Sequence, residues 1–236
     1  MLLLPSTCGG IVDARISQLF EIALGKHVRP MRALNLSYLL GALRYHCKSL
    51  AERYSEICRN FAQHRAFEKR DSDNVILGMQ EEPYYEFEAL LTAALRTYDA
   101  TRYIIWPTFG LGGSTPSSFE KALPLCKDLP EKLKQQLNSS WARFGDKLKH
   151  YRDCIQHYIP IGSSRFCALM TRLKSGVWST SIWIPDNPEV RSYEQFRYDC
   201  ELDALSYGWE LTNEMVDVVH SIVNAIPDKA QNIKSP

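Results

Sequence analysis

The sequence carries no excess charge of either sign. Lysine and arginine number 28 against 27 aspartates and glutamates, a formal net charge of +1 at pH 7. A balance that even argues against a general nucleic-acid coat or an anionic membrane surface, since both need a broad basic field. Any such contact must come from a local patch. No apolar run approaches the roughly 20 residues of a membrane span, and no membrane partner is expected. The opening "MLLLP" is too short for a signal-peptide core and has no basic region before it. Repeats and low-complexity tracts are absent. The seven cysteines, Cys8, Cys47, Cys58, Cys126, Cys154, Cys167 and Cys200, are odd in number and never form a C-x-x-C pair. That excludes a disulfide framework and points to reduced thiols in a cytoplasmic protein. His46, Cys47, Cys58 and His64 match no zinc spacing, so no metal is expected. The glycines of "GLGGSTPSS" lack a preceding strand and the lysine of a phosphate-binding loop. No Ser-His-Asp set or carboxylate pair stands out to suggest a hydrolase of another kind, and no cofactor is expected.

What the chain does contain is helical periodicity. A short helix is expected around "IVDARISQLFEIAL", and a long one from about 32 to 64. The long helix carries an apolar stripe of Leu36, Leu39, Leu43, Leu50, Tyr54, Ile57 and Phe61. The charged "RAFEKRDSDN" reads as a loop. Pro83 opens a helix that Pro107 closes, apolar over more than one face as a central helix should be. From about 130 to 159, Leu133, Leu137, Trp141, Phe144, Leu148, Tyr151, Ile155 and Tyr158 recur at steps of four and three. "FCALMTRLKSGVWSTSIWIP" is two alternating runs meeting at Ser175-Gly176, a β-hairpin over about 166–184 and the only sheet expected. A last helix runs from about 195 to 226, stopped by Pro227. The expected class is all-α: an antiparallel helical bundle over 83–226 with one small β-hairpin insertion. Residues 1–75 form an N-terminal helical extension packed on that bundle.

Two hexapeptides place an arginine five residues before a histidine: "RNFAQH" (Arg59 to His64) and "RDCIQH" (Arg152 to His157). At roughly 100° per residue, His64 continues the apolar stripe while Arg59 points away, so His64 reads as a packing residue. In the second, Arg152, Asp153, Gln156 and His157 fill one polar arc beside Lys149. Asp153 and His157 are four apart and can meet, which would hold the imidazole in one tautomer. Pro160 places His157 in the last helical turn, where the helix dipole favours its protonated form. The second hexapeptide is therefore the candidate site.

"YRDCIQHY" resembles the signature of the HEPN superfamily (higher eukaryotes and prokaryotes nucleotide-binding domains). There an arginine, a polar residue, three further residues and a histidine end a core helix. The order of elements over residues 83–226 is similar as well. The tyrosine that one subgroup carries two residues after the histidine is here replaced by Ile159, with Tyr158 one position earlier. The resemblance implies a HEPN-like bundle acting as a metal-independent endoribonuclease. Arg152 and His157 would be the catalytic pair and Asp153 the supporting polar residue, in a homodimer formed through the motif helix. Lys149, Gln156 and Tyr158 would meet RNA. A toxin or phage-defence effector restrained by an antitoxin or regulatory protein fits such a part.

The residue types suit that chemistry on their own account. RNA carries its own nucleophile, the 2′-hydroxyl, so a catalyst needs a proton-moving group near neutral pKa and a fixed cation for the phosphorane oxygens. Imidazole and guanidinium supply these, giving a 2′,3′-cyclic phosphate and a 5′-hydroxyl. One histidine per chain is thin for both acid and base, and a two-fold dimer supplies two. The competing expectation is a non-catalytic HEPN-like helical binding or regulatory module, in which the same arc is a solvated or partner-binding face. Trp178 and Trp183, with Arg172 and Lys174, form either a platform for unpaired bases or, by strand alternation, part of the core.

Overall fold

The computed structural model describes residues 16–19, 21–23, 28–63, 73–162 and 167–227. His64 and most of "RAFEKRDSDN" lie outside them, as does part of the first expected helix, of which residues 16–19 and 21–23 are helical.

The fold is mostly helical, with a small three-stranded sheet. Helix α1 (Pro30–Gln63) buries the predicted stripe from Leu36 to Phe61. It lies against α2 (Glu82–Thr108), which also contacts α3 (Phe119–Ala122), α5 (Asp146–His157) and α6 (Ala204–Ala225). Alpha-two is thus the central helix its two-faced apolar pattern predicts, with Phe87, Leu90, Ala94 and Tyr98 wholly buried. Pro83 starts it, and it ends one residue beyond Pro107. Alpha-one and α6 share one hydrophobic core with α2 and the sheet.

Strands β1 (Asn74–Leu77), β2 (Ala168–Arg172) and β3 (Trp178–Ser181) are antiparallel in that order. The expectation of a lone hairpin is corrected here: β1 pairs with β2, Val75 opposite Met170, making a third strand. The hairpin itself turns at the predicted place. The Leu173 amide donates to Val177, and Gly176 takes φ +80°, a conformation that favours glycine. Trp178 is half-buried with its edge against Phe61, ring centroids 4.8 Å apart, so it packs on α1. That contact accounts for one side of the ring.

The last helix starts later than periodicity predicts, at Ala204, because Asp203 caps it. One Asp203 oxygen accepts from the Ser206 amide at 2.9 Å. The other accepts from the Tyr54 hydroxyl at 2.8 Å and the Ile182 amide at 3.1 Å. A single carboxylate therefore ties α1, the end of β3 and the start of α6. Residues 196–203 run as loop between a 3-10 turn (Tyr193–Gln195) and this cap.

The core holds several ionisable groups in their neutral forms. Burial pushes the Cys47 thiol up to about 11, an effect that Thr212 partly offsets. Burial also raises Tyr54, Tyr84, Tyr98, Tyr151 and Tyr207. The folded chain therefore holds these protons more tightly than the unfolded chain does. The corresponding stability is complete below the unfolded thiol value of about 9 and drains away as pH rises towards 11. Thermal midpoints measured from pH 8 to 11 are expected to fall steeply above pH 9. A midpoint that stays level to pH 11 contradicts this burial.

Candidate active site

The motif helix expected over 130–159 is one continuous coil in three parts: α4 (Glu131–Ser140), a π-helical turn (Trp141–Gly145) and α5. Leu133, Leu137, Phe144, Leu148 and Tyr151 are buried as predicted. The stripe then shifts by a residue, with Cys154 buried, Ile155 half-buried and Tyr158 exposed.

Three contacts fix the end of α5. The Tyr151 hydroxyl donates to the Pro185 carbonyl at 2.6 Å, which joins the helix to the loop after β3. The Tyr158 and Ile159 amides both donate to the Cys154 carbonyl at 2.9 Å, closing the helix. Beyond Pro160, the Ile161 amide donates to the Glu88 carboxylate of α2 at 3.0 Å. Burial raises the Glu88 pKa, partly offset by that amide. Glu88→Gln keeps the acceptor and removes a poorly solvated charge, so its stability at pH 7 is expected to equal or exceed that of the native chain. Its advantage should widen as pH rises through the raised pKa. Glu88→Ala leaves the Ile161 amide unpaired and is expected to cost about 1–3 kcal/mol in denaturant unfolding.

His157 is the last helical residue, as Pro160 predicts, and it is exposed. The edge of Tyr158 lies near it, ring centroids 6.3 Å apart. Arg152 is about one-third exposed and paired with its neighbour: Nε donates to one oxygen of Asp153 at 2.7 Å, and Nη2 lies 2.6 Å from the same oxygen in an ion pair. The expected meeting of Asp153 with His157 is therefore corrected, since the carboxylate holds the guanidinium instead. A permanent cation on the adjacent residue outcompetes an imidazole one turn away that is charged only when protonated. Gln156 is exposed beside His157. Lys149, expected to meet RNA, is occupied by both oxygens of Glu120 at 3.0 and 2.9 Å.

One residue at this end of the helix escaped sequence reasoning. The Arg191 guanidinium lies 5.2 Å from the centroid of the Tyr158 ring. Its loop reaches α5 only through tertiary structure, so no spacing could have signalled it.

The residues weighed for metal binding diverge. His46 Nδ1 lies 2.9 Å from Glu86, Cys47 is buried, and the Cys58 sulfur lies 3.2 Å from the Thr180 hydroxyl. Among the described residues no group of three or more His, Cys, Asp or Glu side chains could hold a metal ion. Nor is any helix among them long and apolar enough to cross a membrane. The other member of the pair of hexapeptides, Arg59, is exposed, while Ile57 and Phe61 on the same helix are buried. The arc of α5 thus offers an exposed imidazole, an oriented guanidinium and an exposed amide on a firmly anchored helix end. No protein-family model, curated protein or solved structure matches the chain.

Proposed function

We propose that the chain is a metal-independent endoribonuclease of the HEPN type, a HEPN-like bundle paired two-fold through α5. The observation that carries this reading is the arrangement at the end of α5. His157 is exposed in the last turn, while Arg152 is held in one orientation by Asp153. Arg152 stabilises charge on the phosphorane oxygens, and His157 moves the proton between the 2′-hydroxyl and the leaving 5′-oxygen. Asp153 is a positioning residue acting on Arg152. Pairing of two chains supplies a second imidazole, so that one can act as base and the other as acid. Gln156 and Tyr158 meet the RNA on either side of the histidine. A cytoplasmic toxin or phage-defence effector, restrained by an antitoxin or regulatory protein, is the setting that suits such an activity.

A second reading, a non-catalytic binding module, is favoured by one observation. Lys149 and Arg152 are already paired with carboxylates of the same chain, which lowers the positive field of the arc. The deciding experiment incubates purified protein with single-stranded RNA in excess EDTA and measures its mass in solution. The endoribonuclease yields fragments ending in 2′,3′-cyclic phosphate and runs as a dimer. A monomer that leaves RNA intact overturns the proposal and favours the module.

A further inference from the structure

We propose that Arg191, its guanidinium 5.2 Å over the Tyr158 ring, is the nucleotide clamp of this site and selects single-stranded RNA. The proposal rests on the reading of α5 as a ribonuclease site and adds to it the part that grips substrate. Its first support is charge. Arg152 is engaged by Asp153, Lys149 by Glu120, and Arg143, further up the same coil, by Glu210 and Glu214. Arg191 is exposed, and among the described residues no carboxylate lies within ion-pair distance of it. Beside Tyr158, a phosphate arriving at His157 therefore meets in Arg191 a cation without an ion pair among the described residues.

The second support is position. Arg191 sits on a loop that is built rather than draped. The buried Asn187 side chain donates to the Gln195 carbonyl at 3.0 Å and accepts from the Arg197 amide at 2.7 Å. The Asp186 amide donates to the Arg197 carbonyl, and the Asp186 carboxylate accepts from the Cys200 amide at 2.9 Å. Tyr151 binds the Pro185 carbonyl at the start of the same loop, so loop and motif helix are held as one piece.

The third support is the chemistry of the pair. A guanidinium with one face on a tyrosine ring keeps its other face for an unpaired base, while its N–H edge donates to phosphate. A base in a duplex is covered by its neighbours and cannot take that face, whereas unstacked bases are commonly held this way. Tyr158 supplies the floor, Arg191 the clamp, and the scissile phosphate lies beside His157.

The test uses the full chain carrying His157→Ala, so that bound RNA stays intact, with a labelled single-stranded oligonucleotide and a duplex of the same sequence. Adding Arg191→Ala is expected to weaken single-strand binding about tenfold and to lower the slope of log affinity against log salt by about one. Adding Arg191→Lys should keep the slope but lose most of the preference for single strands. Thermal midpoints report that both variants fold. Unchanged affinity and slope in Arg191→Ala, or no RNA binding by the His157→Ala chain, overturns the clamp. Cleavage by the native chain is scored separately. If it cleaves and Arg191→Ala leaves KM unchanged, the clamp fails and the ribonuclease reading stands. If RNA binds through Arg191 and is not cut, the ribonuclease reading fails and the clamp stands.

Discussion

Replacing His157 with alanine is expected to slow RNA cleavage by roughly 10²–10⁴-fold, the range for removing a positioned acid–base group. The thermal midpoint should barely move, because the imidazole is exposed and buries nothing. A large loss of rate without loss of fold is the signature of a catalytic group. Equal cleavage by the variant removes His157 from the mechanism. The proposed dimer adds a second measurement. If both imidazoles of a pair are needed, mixing native and His157→Ala chains in equal amounts and letting them re-pair leaves about a quarter of the activity. Independent sites would leave about half. The dilution curve therefore tests the composite site separately from the residue.

Arg152 enters the same experiment with a different expectation. Its guanidinium is fixed through Nε and Nη2, which leaves Nη1 as the edge without a partner among the described residues. Lysine cannot reproduce that fork, so Arg152→Lys should behave like Arg152→Ala and not like a conservative exchange. Asp153→Asn should reduce the rate by loosening Arg152. The tautomer of His157, which Asp153 does not touch, is not involved.

Much of this arrangement is legible in the sequence, and the parts that are not share a cause. The stripe of α1, the two prolines that bound α2 and the turn at Gly176 are local signals, and each element forms within a residue or two of its predicted place. Strand β1 was missed because Asn74–Leu77 is only four residues long and buries just Val75 fully. Its partner β2 is remote in sequence, and no alternation survives over so short a span. The start of α6 was misjudged because apolar residues continue upstream of Ala204. What ends the loop is the Asp203 carboxylate, engaged by groups from α1 and β3 that the sequence does not place beside it. At the site, spacing allows Asp153 to meet either Arg152 or His157, and only side-chain conformation decides. Arg191 is a tertiary neighbour with no local signal at all. Sequence reasoning thus located the arc of α5 and missed what surrounds it.

The largest effect on stability is expected at Gly145, inside the π-helical turn. A Cβ on this residue would overlap three carbons of the Trp141 indole, far inside van der Waals contact. That ring is held on its other sides by Tyr98 and Phe119, with centroids 5.3 and 5.5 Å away. Tyr98 is in turn pinned by its hydroxyl, 2.6 Å from the Ser140 hydroxyl at the entry to the turn. The half-buried indole is flanked by these rings, so Gly145→Ala is an overpacking change and is expected to cost about 3 kcal/mol. For a chain of this size that is a fall of about 6–12 °C in the thermal midpoint. Trp141→Ala removes the obstacle, at its own cost of about 3–5 kcal/mol for the lost ring. The double variant should therefore be more stable than the sum of the two single changes by about 1–3 kcal/mol. The consequence reaches the proposed active arc. One extra residue in a wide turn rotates everything after it by roughly 100° relative to a continuous α-helix. The face on which Lys149 finds Glu120 depends on that phase. Gly145→Ala should thus depress cleavage as well as stability, although it lies two turns from Arg152. If the variant proves neutral in both measurements, the indole does not hold the turn, and the orientation of α5 is set by the Tyr151 and Glu88 contacts alone.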